Sequence, residues 1–163
     1  MIIINKTGYL IYKNLKFRCS LGKSSVGEKK FEGDNVTPTG IYKLIKVFFR
    51  KDRITKIKSK MVFNEIKKNM GWCDDPKSRK YNKLIKLPSK FSHEKLFRED
   101  HLYDLIIVIN YNMNPIIKNK GSAIFIHLAT RNYSPTSGCI GLKKKNMIEL
   151  IKKLKKNEFI KIL

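Results

Sequence analysis

Hydrophobic residues recur along this chain in short runs that are typical of β-strands. Near the N-terminus, three such runs are separated by short polar stretches and are rich in isoleucine, leucine and aromatic residues; they cover residues 2–4, 8–12 and 16–21. β-Branched and aromatic side chains favour extended backbone, and the polar breaks between them mark turns. The pattern predicts a meander of strands in which Cys19 faces the core.

Two runs in the second half, at 103–109 and 123–128, are almost continuously apolar. A strand that is buried on both faces has few polar positions, so we expect these two strands to form the centre of the sheet. Residues 41–49 predict a further strand with a bulge. Shorter strands are predicted at 61–66 and 84–87.

One segment has the periodicity of a helix. Its apolar residues recur at the spacing of one helix face, with lysines opposite: Met147, Leu150, Ile151 and Leu154. We predict one amphipathic helix from Asn146 to about Asn157, followed by a last strand at 158–163. Packing of this helix on its own sheet is favoured over binding to a membrane surface. The fold class is therefore mainly β, a β-sandwich or mixed sheet with one C-terminal helix.

Basic residues far outnumber acidic ones. The 163 residues include 36 Lys and Arg but only 13 Asp and Glu, which gives a net charge of +23. Such a charge favours anionic partners, whether nucleic acid, an acidic membrane surface or an anionic wall polymer. The lysines are scattered, and no basic patch with interleaved aromatic residues is found. We favour a solvated surface and expect no specific nucleic-acid partner.

The length of the chain favours one domain, since 163 residues can bury a core without disulfide staples. No apolar run reaches the ~18 residues that cross a bilayer, and the N-terminal residues lack the features of a signal peptide. We predict a single domain over 1–163, expected to be a monomer. Within it, an irregular inserted segment at about 50–100 frames a cleft.

The cysteines and histidines indicate neither a disulfide framework nor a metal site. Cys19, Cys73 and Cys139 are odd in number and form no C-x-x-C pair. The spacing of His93 and His101 matches no metal-ligand pattern. At least one thiol is therefore free, and no metal or organic cofactor is expected.

One cysteine follows a histidine in a way that suits nucleophilic catalysis. His127 ends an apolar run, and Cys139 lies 12 residues later, directly after Gly138. A thiol attacks a carbonyl well only when a base such as imidazole accepts its proton. Two strands joined by a loop could place this pair side by side. The alternative is that both are structural, since cysteine is among the most buried residue types.

Two stretches of the chain carry sequence motifs: Ile126-His127 followed by Thr136-Ser-Gly-Cys-Ile-Gly-Leu142, and, upstream, Gly33-Asp-Asn-Val-Thr-Pro-Thr-Gly-Ile-Tyr42. The first is similar to the signature around the cysteine nucleophile of the L,D-transpeptidase catalytic domain, the YkuD-type family, and the second is similar to another segment of that family. Gly71-Trp-Cys-Asp-Asp-Pro76 with Tyr81-Asn82 looks like a longer proteobacterial subgroup. The chain departs from the pattern at Gly141, where most members carry arginine.

The resemblance implies an enzyme that crosslinks peptidoglycan. Cys139 would be the nucleophile and His127 its base, with a thioester intermediate, and a carbapenem would acylate the same cysteine. Thr136 would orient the loop, and backbone amides around Ser137, Gly138 and Cys139 would hold the oxyanion.

The implied substrate is a peptidoglycan stem peptide, which carries both carboxylates and an amine. Its contacts are expected from six residues of suitable charge or shape: Trp72, Asp74, Asp75, Tyr81, Arg98 and Tyr103. The resemblance implies the periplasm or cell envelope, although no signal peptide is seen. Two alternatives stay open: the same site could act as an L,D-carboxypeptidase or in D-amino-acid exchange, or the chain could be a non-enzymatic basic binding module.

Overall fold

Strands dominate the structure, a computed structural model that describes residues 1–55 and 57–163. The strands are, in chain order, β1 (Ile2–Asn5), β2 (Tyr9–Tyr12), β3 (Leu15–Arg18), β4 (Val26–Gly27), β5 (Thr37–Pro38), β6 (Gly40–Phe49), β7 (Phe63–Glu65), β8 (Met70–Cys73), β9 (Leu84–Lys86), β10 (His93–Lys95), β11 (Leu105–Ile109), β12 (Phe125–Leu128), β13 (Ile140–Leu142) and β14 (Phe159–Ile162). The helix α1 spans Lys144–Lys153. The mainly β fold class is confirmed.

A large mixed sheet organises the chain, with strand order β13-β12-β11-β6-β14-β1-β2-β3 and β7 paired with β6 beside this path. β6 pairs with β14 through its first half and with β11 through its second half. The predicted bulge lies in this second half, where Leu44 to Val47 of β6 oppose Ile107 to Ile109 of β11.

The prediction that the two most apolar strands lie at the sheet centre is wrong. β11 and β12 lie near one end of the sheet, and β6 and β14 occupy its middle. Both faces of β11 are nevertheless buried: Leu105, Ile107 and Ile109 point into the core that α1 covers, and Ile106 and Val108 point into a second core. The continuous apolar run therefore indicates that both faces of the strand are buried, and it does not indicate a central position in the sheet.

The second core is closed by the segment that the sequence predicts to be irregular. Within 50–100, three strands form an antiparallel sheet of order β10-β8-β9. Trp72 of β8 packs edge-on against Phe125 of β12, with ring centroids 5.2 Å apart. Leu96, just after β10, is fully buried in the same core. The three strands are only three or four residues long, too short for a clear alternating pattern.

The helix differs from the prediction only at its ends. It begins at Lys144, two residues before Asn146, and the backbone at Leu154 is already extended. The predicted face is correct, because Met147, Leu150, Ile151 and Leu154 are all buried in the first core. Asn157 adopts a left-handed turn conformation (φ 62°) that leads into β14. No helix in the described residues is long and apolar enough to cross a membrane.

Candidate active site

Parallel pairing of β12 with β13 brings His127 and Cys139 to the same face of the sheet. In this register Ile126 lies opposite Ile140, and His127 lies opposite Gly141. Because side chains alternate along a strand, Ile126 and Ile140 enter the first core, while His127 and Cys139 project to the other side. Both line one cleft with a volume of ≈ 510 Å³. The structure thus brings together the two residues that the sequence predicts to be catalytic.

The Cys139 thiol is buried and neutral. Its Sγ donates to the Ala123 carbonyl oxygen (3.1 Å) and accepts from the Phe125 amide (3.4 Å). Burial raises the pKa of Cys139 to about 12, because the thiolate would lose its hydration; the Phe125 amide acts in the opposite direction but does not offset the burial. The thiol needs a proton acceptor before it can react at neutral pH.

The His127 imidazole has the tautomer that such an acceptor requires. Its Nδ1 lies 2.9 Å from the Leu128 carbonyl oxygen. Since a carbonyl only accepts, Nδ1 carries the proton and Nε2 keeps its lone pair. Burial lowers the pKa of His127, and the nearby Arg98 charge lowers it further, against the opposing effect of the Leu128 bond. The ring is therefore neutral at neutral pH and can accept a proton at Nε2.

Thr136 and Gly138 fix the loop that leads into Cys139. The Thr136 hydroxyl donates to the Cys139 carbonyl oxygen (2.6 Å) and accepts from the Gly138 amide (3.1 Å). Gly138 has φ 128°, and a Cβ there would lie 2.8 Å from the Val36 carbonyl oxygen. Only glycine suits both conditions. These contacts join Thr136 to both residues of the loop that it is predicted to orient.

The amides predicted to hold an oxyanion are not equivalent. The Gly138 amide is already bound to Thr136 Oγ1. The Cys139 amide, by contrast, makes no hydrogen bond within the described part of the chain. Ser137 is exposed at the cleft rim. Within the described residues, the Ser137 and Cys139 amides are therefore the two of this loop that are left for the predicted oxyanion role.

The motif at residues 33–42 packs against the loop that leads into Cys139. Asp34 pairs with the buried Lys29 (2.5 Å) and accepts from the Lys30 and Val36 amides, which holds the turn together. The Thr37 hydroxyl accepts from the Gly22 amide (2.8 Å). The Val36 carbonyl contacts the site of Gly138, as described above. This packing explains why the two sequence motifs occur together.

Ser20 occupies the space beside Gly141. The two residues exchange a pair of 2.9 Å backbone hydrogen bonds. A Cβ on residue 141 would lie 2.2 Å from Ser20 Oγ and 3.3 Å from the Ala129 Cα. An arginine, which most family members carry here, would displace Ser20. Ser20 itself lines the cleft, and its hydroxyl has no partner within the described residues.

Three of the six predicted substrate contacts lie on the cleft wall: Asp74, Arg98 and Tyr103. The Arg98 guanidinium lies over the Tyr103 ring, 4.9 Å from its centroid, and binds Asp100. The Tyr103 ring in turn meets the His127 ring edge-on, with centroids 5.3 Å apart. Tyr103 therefore packs against the His127 ring and also lines the cleft.

The other three predicted contacts, Trp72, Asp75 and Tyr81, lie outside the cleft, so these expectations are corrected. Trp72 is buried in the second core and donates from Nε1 to Asn82 (2.9 Å). Tyr81 is 1% exposed, donates to Glu32 and accepts from the Gly121 amide (2.9 Å). Asp75 accepts from the Lys77 amide within a turn (2.9 Å). Each is committed to an internal hydrogen bond.

Sequence reasoning missed many residues that line the cleft, among them the polar residues Ser20, Glu32, Glu94 and Ser122. None belongs to a recognisable motif, and Ser20 and Glu32 come from segments distant in sequence from the cysteine. The only usable signal is that Ser122 directly precedes the apolar run of the base. Among residues 1–55 and 57–163, no three His, Cys, Asp or Glu side chains are placed to hold a metal ion.

Comparison with known proteins identifies the family of the chain. The family model described as YkuD, L,D-transpeptidase catalytic domain, matches residues 1–162. No curated protein matches the chain in sequence. The structure is similar to a crystal structure of Mycobacterium tuberculosis L,D-transpeptidase 1, with 12% identity and a TM-score of 0.41; the match covers 99% of this chain and 60% of that one. The protein described here belongs to the YkuD family of L,D-transpeptidase catalytic domains.

Proposed function

We propose that this protein is a cysteine acyltransferase that crosslinks peptidoglycan stem peptides. The observation that carries the proposal is the placement of Cys139 and a neutral, Nδ1-protonated His127 on one face of a parallel strand pair, in one cleft. A structural cysteine and histidine would need no common cleft. The proposed catalytic unit is the chain 1–163, with residues of about 50–100 as the frame of the cleft, acting in the cell envelope.

The acylation step begins with a proton transfer. As the Cys139 sulfur attacks the carbonyl carbon at the L-to-D junction of a donor stem, its proton moves to His127 Nε2. Because Sγ is bound to Ala123 and Phe125, it must first turn toward the base. Catalytic hydrogen bonds commonly form only with substrate in place. The Cys139 amide would then donate to the oxyanion.

The thioester then transfers its acyl group. The C–N bond of the tetrahedral intermediate breaks, and His127 Nε2 returns its proton to the amine of the departing D-amino acid. An amine of an acceptor stem attacks the thioester, and His127 accepts the amine's proton and passes it to the departing Cys139 sulfur, which restores the thiol. The C–S bond breaks as the new peptide bond forms, so no cofactor or oxidant enters the reaction.

Mass spectrometry of products from defined tetrapeptide muropeptides tests this function. Wild-type protein is expected to give crosslinked dimers, and Cys139→Ala none. Cys19→Ala is a matched control, since Cys19 is also buried but lies in the first core away from the base. Undiminished crosslinking by Cys139→Ala would contradict the proposal. Hydrolysed monomers instead of dimers would identify water as the acceptor.

A further inference from the structure

One side of the large sheet is covered only in part. Where β11, β12 and the end of β6 meet, the three-stranded sheet packs on this side and closes the second core, which contains Phe48 of β6. Within the described residues, the first half of β6 and the strands β14, β1, β2 and β3 have no such cover. Their residues on this side alternate with buried residues of the first core and are exposed or half-buried. We call this uncovered side the outer face.

The outer face presents large apolar side chains to solvent on adjacent strands. Ile41 of β6 is 58% exposed, Phe159 of β14 is 44% exposed and Ile3 of β1 is 36% exposed. Since β14 pairs with β6 on one side and with β1 on the other, the three residues form one surface. Single exposed apolar residues are common, whereas a contiguous group that is mixed with polar residues marks an interaction surface.

Lysines are interleaved with these apolar residues through the register of the sheet. Lys161 of β14 lies opposite Ile41 on one side and opposite Ile3 on the other. Lys43 of β6 lies opposite Phe159. Directly opposed residues share one face of a sheet, so apolar and cationic side chains alternate across the outer face.

The positive charge of the outer face is not neutralised within the protein. The five strands β1, β2, β3, β6 and β14 contain no Asp or Glu. Lys16, Lys43 and Lys161 form no ion pair within the described residues. The nearest acid in the chain, Glu158 just before β14, binds the amino group of Met1 and the Tyr12 hydroxyl, both at 2.6 Å. The face therefore suits a partner that is both anionic and apolar.

An anionic lipid surface has both properties. Isoleucine and phenylalanine side chains enter the boundary between headgroups and acyl chains, while lysine stems cover apolar surface and their ammonium groups reach the lipid phosphates. A purely electrostatic partner would make no use of the exposed apolar residues. A second copy of this chain is disfavoured, because a two-fold contact through this face would bring the same lysines together.

We propose that the outer face is a docking surface for a bilayer that contains anionic phospholipids. The pairing of Ser20 with Gly141 joins the two ends of the large sheet, so β14 and β1 lie at least three strands from β12 and β13 in either direction. The outer face thus points away from the cleft, and Ile3, Ile41 and Phe159 are absent from the cleft lining. A docked protein keeps Cys139 open to substrate, and docking does not depend on the proposed acyl transfer.

Cosedimentation of the full chain with lipid vesicles tests the docking surface. Wild-type protein is expected to bind mixed phosphatidylglycerol and phosphatidylcholine vesicles about tenfold or more tightly than pure phosphatidylcholine vesicles. Lys43→Gln combined with Lys161→Gln should weaken binding by about fivefold for each lysine removed. Ile41→Gln combined with Phe159→Gln keeps every cation and should still weaken binding by about tenfold or more.

A matched charge control separates the outer face from the net charge of the protein. Lys67→Gln combined with Lys68→Gln removes the same charge from exposed positions between β7 and β8 and should change binding by less than about twofold. Equal losses in the two lysine pairs, unchanged binding after the Ile41 and Phe159 substitutions, or no binding by wild type would each overturn the proposal. Sedimentation velocity without lipid gives the remaining outcome: a wild-type dimer that the Ile41 and Phe159 substitutions dissociate would assign the outer face to a second copy instead.

Discussion

Cys139 and His127 meet the substrate uncharged, and this determines how the pair can react. Burial raises the pKa of the thiol to about 12 and lowers that of the imidazole. A preformed thiolate–imidazolium pair would need the reverse order of pKa values. Proton transfer therefore accompanies attack, and because the pKa of His127 is lowered, the base stays unprotonated to a pH below the ordinary histidine value of about 6.5.

The resting thiol should consequently be unreactive toward a simple alkylating reagent. Iodoacetamide reacts with the thiolate, whose population rises tenfold per pH unit as long as the pH is below the thiol pKa. We predict that alkylation of Cys139, measured by peptide mass mapping, increases steadily from pH 7 to pH 10. Cys19, whose pKa burial also raises to about 12, should behave alike. A rate for Cys139 that is already constant near pH 7 would reveal a preformed thiolate.

At the level of secondary structure, the cysteine strand depends on a segment from the other end of the chain. Ser20 pairs with Gly141 of β13, and the backbone of Thr136 bonds to Leu21 and Lys23. The loop from β12 to β13 is thus held on its outer side. This packing explains why glycine stands at position 141, where most family members carry arginine: Ser20 fills the space that a larger side chain would need.

A double-mutant cycle measures this coupling between Ser20 and Gly141. Gly141→Ala should lower the free energy of unfolding by about 1–3 kcal/mol, as overpacking does. Ser20→Ala removes the nearest clashing atom, whose hydroxyl has no partner to lose within the described residues. The double variant should therefore be less destabilised than the sum of the single changes, by about 0.5 kcal/mol or more. Additive urea denaturation results would contradict the account.

At the scale of the whole molecule, periodicity predicted most strands and the buried helix face, whereas residue chemistry and the sequence motifs singled out His127 and Cys139. Within the three-stranded sheet of residues 50–100, periodicity predicted β9 but missed β8 and β10, which are too short to alternate clearly. The cleft wall is also beyond the reach of local pattern, since Glu32, Glu94 and Ser20 come together only by tertiary folding. Trp72 and Tyr81 have side chains suited to substrate contact, but both are buried and make internal hydrogen bonds.

The overall charge of the protein could also be predicted from the sequence, whereas the local charge of the cleft could not. Scattered lysines indicated a solvated basic surface, and composition contained no sign that three of 13 acidic residues would share one cleft. The net charge of +23 describes the exterior of the molecule. The cleft, which is lined by Glu32, Asp74 and Glu94, differs in local charge from that exterior.

The central claim is that Cys139, and no other thiol, is the acyl-accepting nucleophile. Intact-mass and peptide-mapping analysis after incubation with a carbapenem tests it most directly, because the strained β-lactam acylates a cysteine that a neighbouring base activates. Cys19 and Cys73 are internal controls, since both are free and buried. We predict one adduct per chain, located at Cys139 and absent from His127→Gln. An adduct at Cys19 or Cys73, or no adduct on the folded protein, would contradict the account.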